Sequence, residues 1–207
     1  MTSSFAENDF WSLIHGRRSV RRYAERPVPG ELVWQLLEAA HWAPSAHNRQ
    51  PWRFVVVEQP DRRRRLAEAM AAQWQADLLA DGADPEMVGR RAAISIQRVG
   101  GAPVLILPCL DLAVLDVYAD PQRQQWEWQM GVQSVALACQ NLLLAAHQFG
   151  LAGCWMCAPI FCVPLVQRAL ELPESWQPQA ALTLGYPSPN AQVKKTREPL
   201  ESFVIRR

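Results

Sequence analysis

The sequence predicts a single α+β domain over residues 1–207. Strand-like and helix-like segments are mixed irregularly along the chain, and no strand–helix–strand unit carries a glycine fingerprint. Two strand-like segments, 53–58 and 103–109, are almost continuously apolar, which is typical of central strands covered on both faces. A chain of 207 residues can bury a sizeable core without support from metals or disulfides.

The helices are predicted from apolar spacing and from residues that favour helix ends. We expect helices over 9–15, 30–42, 61–79, from 84–85 onward, over 124–149 and over 164–172. Asp84 and Pro85 suit the N-cap and the first turn, and Gly150 suits a left-handed helix end. The longest helix is apolar on most faces, so we expect a second copy of the chain to cover it.

Four strands are predicted, at 53–58, 103–109, 152–156 and 180–186. The tail at 202–205 is a fifth candidate, which we expect to dock on a partner subunit. Nine tryptophans also favour large buried or interfacial surfaces.

Composition argues against several classes of protein. The net charge of +1 argues against partners such as nucleic acid or a membrane surface. The most apolar stretch, 132–149, contains too many amides to make a good bilayer span. Residues 1–6 do not resemble a secretory signal, and five cysteines are an odd number, so we expect a reduced, cytoplasmic protein.

A basic segment at 17–22 is the first candidate binding feature. Arg17, Ser19 and Arg21 alternate, so an extended backbone projects them to one side, where forked donors and a hydroxyl suit a phosphate. If the segment 17–22 is considered alone, the simpler interpretation is a basic surface segment that water solvates. For a second run, 62–65, we accept that simpler interpretation, because a helix start spreads four consecutive charges around its axis.

The turn at 44–52 is the second candidate. Ser45, Asn48 and Gln50 supply the donors and acceptors that the polar edge of a flavin ring requires. The alternative is a loop whose side chains satisfy its own backbone. Together with the arginines, the turn favours bound flavin mononucleotide (FMN) and therefore redox chemistry.

Other chemistries find little support in the sequence. Cys154 and Cys157 form a C-x-x-C pair, but no second pair at regular spacing completes a zinc site, and Pro159 follows where a redox dithiol would open a helix. The four histidines are scattered, and only His47 lies in a candidate site. We therefore predict no metal and name no catalytic acid or base.

Four motifs in order resemble the nitroreductase superfamily of FMN enzymes. They are Arg17–Arg21, Pro44–Trp52, the helix ending in 140–146, and Gly150–Trp155. The resemblance spans nearly the whole chain. It implies an α+β fold with a central, mostly antiparallel sheet flanked by helices, and an intertwined homodimer whose C-terminal strand is exchanged onto the partner.

The resemblance also implies contacts with FMN. It places Arg17 and Ser19 on the phosphate, and Arg18 and Arg21 towards the pyrimidine edge and the ribityl chain. Lys195 and Arg197 are implied as a second phosphate contact. The resemblance further implies that a stretch reaches the flavin from the other subunit, with Pro44, Ser45, Ala46, Asn48 and Gln50. Backbone groups of Met156, Cys157 and Ala158 would face the N5 edge.

Further stretches resemble the FbiB-type reductase domains of coenzyme F-420 maturation. These stretches are 70–82, 102–109, 161–162 and 176–186. They imply reduction of a dehydro precursor of coenzyme F-420, a small-molecule substrate. The alternatives are a general NAD(P)H-dependent nitro, quinone or enone reductase and, from another class, a flavin-binding protein without turnover.

Overall fold

The computed structural model describes residues 7–191 and 196–207. Its helices are α1 (Glu7–Gly16), α2 (Gly30–His41), α3 (Pro60–Ala80), α4 (Pro85–Gly100), α5 (Pro121–Gln148) and α6 (Val163–Leu170). Its strands are β1 (Trp52–Val56), β2 (Val104–Asp111), β3 (Ala152–Met156), β4 (Trp176–Pro178) and β5 (Ala181–Gly185). No described helix combines the length and the apolar character that crossing a bilayer requires.

The five strands form one antiparallel sheet, as the resemblance implied. The strand order is β1-β2-β5-β3, and β4 pairs with β2 beyond the end of β5. β2 is buried along its whole length, which confirms the expectation from its continuous apolar sequence.

Helices cover both faces of the sheet because successive side chains of β2 point in opposite directions. Ile106 and Leu110 enter a core formed with α2 and α5. Leu105 and Leu107 enter a second core, which residues of α3, α4 and α6 complete. The result is an α+β fold with the sheet between two helical layers.

Helix ends follow local signals. The Asp84 carboxylate accepts a hydrogen bond from the backbone N–H of Met87 at 2.7 Å, and Gly150 adopts a φ of +73°, as predicted. α5 begins three residues earlier than predicted, because Asp120 caps it by accepting from the N–H of Gln122 at 3.0 Å.

Four sequence-based expectations need correction. β1, which was expected to be a central strand, is an edge strand of the sheet, and its residues after Trp52 are only half-buried. β4 was missed, since three residues are too few to show alternation. The tail predicted as a strand over 202–205 begins within a 3₁₀ turn, Leu200–Phe203, and Val204, which follows the turn, has extended backbone. In the basic run 62–65, Arg63 is buried at 8% exposure, and its guanidinium donates to the carbonyls of Val57 and Glu58 at 3.1 and 2.6 Å.

Candidate functional site

The arginine-rich segment after α1 runs beside the outer edge of β3. Ser19 and Gly153 form an isolated parallel bridge, and the N–H of Val20 donates to the Gly153 carbonyl at 3.1 Å. The backbone is therefore extended here. It carries Arg17 and Arg21 to the same neighbourhood, as the alternation in the sequence predicted.

Arg17, Arg21 and Arg98 lie near Cys154 in β3, close enough for their charges to act on its thiol. Burial raises the pKa of this thiol, while the positive charges of Arg21, Arg98 and Arg17 oppose that rise. Arg98, which sequence reasoning missed, comes from the last turn of α4. In residues 7–191 and 196–207, no carboxylate lies within 4.0 Å of these guanidinium groups. This arginine cluster (Arg17, Arg21 and Arg98) is an uncompensated positive centre, suited to an anion such as phosphate.

The other cationic residues of the predicted site are placed differently. The Arg18 guanidinium donates to the carbonyl of His15 at the end of α1, and to the carbonyl of Arg17 at 3.0 Å. Arg197 is exposed, and Lys195 lies outside the described residues. Their roles at the ring edge and as a second phosphate contact therefore stay predictions.

The end of β3 borders a groove on the same face of the sheet as the arginine cluster. Cys154 and Met156 are two residues apart, so their side chains share that face. A cavity of about 410 Å³ opens there, with Met156 and Ala158 on one side and residues of α3 and α4 on the other. We call it the α3–α4 groove. Arg98 also lines it, so the groove and the cluster are contiguous.

The cysteines show little reactive character apart from Cys157. Cys157 is exposed, and its sulfur accepts a hydrogen bond from the indole N–H of Trp155 at 2.9 Å. The four buried, free thiols are Cys109, Cys139, Cys154 and Cys162. Burial raises the pKa of each of them, to about 12 for Cys109. Protonated, buried thiols are poor nucleophiles and poor metal ligands.

The turn at 44–52 has a strained backbone, which hydrogen bonds to the hydroxyls of Ser134 and Ser45 stabilise. His47, Asn48 and Gln50 all have φ near +50°, a conformation that costs a non-glycine residue on the order of 1 kcal/mol or more. The N–H of Ala46 donates to the Ser134 hydroxyl at 3.2 Å, and the N–H of Gln50 donates to the Ser45 hydroxyl at 3.0 Å. The turn thus satisfies part of its own backbone, while His47 and Asn48 remain exposed.

A charged network lies behind the turn. Arg49 forms an ion pair with Asp116, whose backbone N–H donates to Oε1 of Glu127 at 3.2 Å. Glu127 is 2% exposed, and its Oε2 has no hydrogen-bond partner among the described residues. His47 lies close by, with a ring nitrogen within 4.8 Å of oxygens of both acids. No local pattern predicts this network, because its members come from three separate segments of the chain.

The turn and the arginine cluster lie at opposite corners of the sheet. Trp52, after the turn, pairs with Leu110 at one end of β2. Gly153, beside Ser19, pairs with Leu184, which pairs with Val104 at the other end of β2. At about 3.4 Å per residue, six residues of β2 separate the two features by roughly 20 Å along the strands. One chain alone does not bring them to one ligand.

Comparison with known proteins gives one consistent family. A family model described as "Nitroreductase family" matches residues 14–186. A Methanothermobacter thermautotrophicus protein that carries the name NADH dehydrogenase/NAD(P)H nitroreductase is 31% identical over 197 residues, which are 92% of this chain and 84% of that protein.

Solved structures share the fold. A nitroreductase from Desulfovibrio desulfuricans, in complex with FMN, superposes with a TM-score of 0.72 at 30% identity, covering 98% of each chain. A BluB-like flavoprotein from Clostridium difficile reaches a TM-score of 0.78 at 23% identity, covering 95% of this chain and 97% of that one. From the match over residues 14–186 and these likenesses, we conclude that the chain belongs to the nitroreductase family.

Proposed function

We propose that this FMN-dependent oxidoreductase takes electrons from NAD(P)H and passes them to small conjugated acceptors of the quinone, nitroaromatic or enone class. The observation that carries the proposal is the arginine cluster, in which three positive charges lie beside a groove with no carboxylate partner among the described residues. The name of the Methanothermobacter relative supports NAD(P)H as the donor. When bound, FMN supplies the redox chemistry by carrying electrons between donor and acceptor.

The residues of this chain fit the two ends of FMN. Arg17 and Ser19 are assigned to the phosphate, as the resemblance implied, since the cluster offers forked donors without competing acids. Arg21, which the resemblance placed towards the ring edge and the ribityl chain, is also assigned to the phosphate, because the alternation of the segment projects it to the same side as Arg17. Backbone groups at 156–158 are assigned to the ring, which would lie beside the β3 end of the groove and leave the walls formed by α3 and α4 to the substrate. These residues bind and orient the cofactor, and we assign no side chain as a proton donor.

A homodimer would complete the site. Pro44, Ser45, Ala46, Asn48 and Gln50 lie about 20 Å from the cluster along the strands of their own chain, by the spacing of residues in β2. A second copy can bring its own turn to the ring end of the groove. The proposal therefore has two active sites, each at the interface between the subunits.

Exposed apolar residues support this dimer. The larger ones on α1, α2 and α5 and at the end of α2 are Phe10 (56%), Trp11 (54%), Trp34 (74%), Trp42 (79%), Trp126 (54%) and Leu137 (47%). Single exposed apolar residues are common, but so many large ones on α1, α2 and α5 are typical of an interface. The exposed half of α5 is the surface for which the sequence predicted a covering partner.

The C-terminal tail supports strand exchange. Leu200, Phe203 and Ile205 are 71%, 71% and 81% exposed. No strand among the described residues pairs with the outer edge of β1, and a cavity of about 1080 Å³ runs between that strand and α2. We propose that the tail of each subunit docks in this cavity on its partner.

A narrower acceptor is a dehydro precursor of coenzyme F-420. One observation favours it: the stretch 70–82 carries part of the FbiB-type resemblance and begins on α3, from which Met70, Trp74 and Asp77 line the groove. Under this alternative the reduced enzyme would be re-oxidised faster by the dehydro precursor than by menadione. The opposite order would favour the general reductase.

Anaerobic titration tests the function. The purified protein should be yellow, should be bleached by NADH or NADPH, and should regain its colour on addition of menadione. A yellow protein that neither donor bleaches would instead be a flavin-binding protein without this turnover. A colourless protein that takes up no FMN on reconstitution would contradict both.

A further inference from the structure

We infer that the α3–α4 groove selects acceptors that combine a planar aromatic ring with a single negative charge, and that Arg91 holds that charge. The inference rests on the proposed function, because it names the substrate class of the same site. The α3–α4 groove has a volume of about 410 Å³, which lies within the usual range for small-molecule sites. Nothing in the family match itself assigns a charge preference.

The walls of the groove suit a flat ring. Trp74 on α3 and Phe161 after β3 supply aromatic surface, and Ile94 on α4 adds an aliphatic side chain. Phe161 is 75% exposed and Ile94 is 45% exposed, so the groove has unused apolar surface. A conjugated ring would bury part of this surface and stack on the aromatic groups.

The charges around the groove favour one negative group. Arg91 and Arg98 are the guanidinium groups that line it, and Asp77 is the carboxylate that lines it. Arg98 already belongs to the arginine cluster. Arg91 is exposed, one turn before Ile94 on the same helix, and it forms no ion pair with the described residues. With Asp77 present as well, the groove favours a carboxylate over a dianion.

Arg90 provides a matched comparison. It precedes Arg91 on α4 and is exposed, but it forms an ion pair with Glu86 and does not line the groove. The two arginines therefore differ in orientation rather than in charge or helix. Replacing either arginine by glutamine removes one charge from an exposed position on α4. Neither replacement changes a residue of the two hydrophobic cores.

Calorimetric titration with two small probes tests the inference without turnover. The probes are 4-nitrobenzoate and nitrobenzene, which share the ring and the nitro group and differ by one carboxylate. The wild-type protein, without NAD(P)H, should bind 4-nitrobenzoate about tenfold more tightly, as expected for one charge-assisted contact at an open site. Arg91→Gln should remove this preference, Arg91→Lys should restore most of it, and Arg90→Gln should keep it.

The outcomes separate the inference from the proposed function. Equal binding of both probes by the wild type, or an unchanged preference in Arg91→Gln, would overturn the inference. Menadione reduction and FMN content are measured on the same preparations. If the wild type holds no FMN and reduces no menadione, the proposed function fails, and the binding comparison still decides whether the groove selects anionic rings.

Discussion

The Ser134 hydroxyl on α5 accepts a hydrogen bond from the backbone N–H of Ala46 at 3.2 Å and donates one to the carbonyl of Met130 at 2.8 Å. One buried hydroxyl thus connects the longest helix to a turn that has three residues with left-handed backbone. The arrangement fixes the turn from inside the subunit, while its outer residues stay exposed.

Replacing Ser134 by alanine should loosen the turn. The backbone N–H of Ala46 loses its acceptor, so the free energy of unfolding should fall by about 1 kcal/mol. If the turn contacts FMN in a partner subunit, the affinity for FMN should also fall several-fold. Urea unfolding and fluorescence titration with FMN measure the two effects. Gln133→Ala, at an exposed neighbouring position, is the control, and equal behaviour of the two variants would contradict this role.

Replacing Arg21 by alanine should weaken the binding of FMN through its phosphate. Loss of one charge-assisted contact corresponds to roughly a 10- to 100-fold weaker affinity. Riboflavin has the same ring system without the phosphate, so its affinity should change little. Titration of the apoprotein with both flavins makes the comparison. An equal loss for both would place Arg21 at the ring and not at the phosphate.

Thiol labelling should distinguish Cys157 from the other cysteines. Cys157 is exposed, whereas the remaining four are buried and burial raises the pKa of each. A chromogenic disulfide reagent should therefore modify one thiol quickly in the native protein and all five after denaturation. Cys157→Ser should abolish the fast phase. In the wild-type protein, bound FMN should slow the labelling of Cys157, because this residue adjoins the proposed ring site. A labelling rate that FMN does not change would argue against that placement of the ring.

Stability should depend on pH through His147. Burial, with the positive charges of Arg17 and Arg18, holds the pKa of His147 below its ordinary value. The unfolded chain therefore binds the proton first as the pH falls, and the stability of the folded state decreases below the unfolded pKa of about 6.5. Urea unfolding at pH 7.5 and 5.5 should show a smaller loss for His147→Gln than for the wild type. A variant as pH-sensitive as the wild type would contradict this assignment, and His41→Gln on the surface of α2 is the control.

Removal of the tail after Glu198 tests the dimer. The deletion takes away Leu200, Phe203 and Ile205, which are exposed in the single chain. We expect light scattering after gel filtration to show that the truncated protein is mainly monomeric. We also expect it to bind FMN weakly in a fluorescence titration. A double replacement of Ser202 and Arg206 by alanine is the control, since it keeps the apolar residues. A truncated protein that stays dimeric would exclude the tail as the main contact.

Much of the fold could be predicted because its signals are local. The continuous apolar run of β2, the Asp84–Pro85 pair and Gly150 each act through their own neighbours, and each prediction was confirmed. Asp120 and Pro121 carry the same signal as Asp84 and Pro85 and were overlooked. β4 carried no such signal, because its three residues gain their strand conformation by pairing with β2.

The candidate site was only partly predictable, for a physical reason. Alternation along an extended segment is a local property. It predicted that Arg17 and Arg21 project to the same side, and both arginines lie near Cys154. Arg98 joins them only because α4 ends at the same corner of the sheet. Likewise, the buried position of Arg63 depends on the carbonyls that follow β1, and no periodicity in a run of four arginines singles it out.

The outer edge of β1 has a consequence for handling the isolated chain. Its backbone hydrogen-bonding groups, beside side chains such as Phe54 and Val56, offer a template to any extended peptide. A subunit whose β1 edge is left uncovered would therefore be prone to edge-to-edge aggregation. If a partner's tail occupies this edge as proposed, slow dilution during refolding, or expression at moderate levels, would favour that pairing over aggregation.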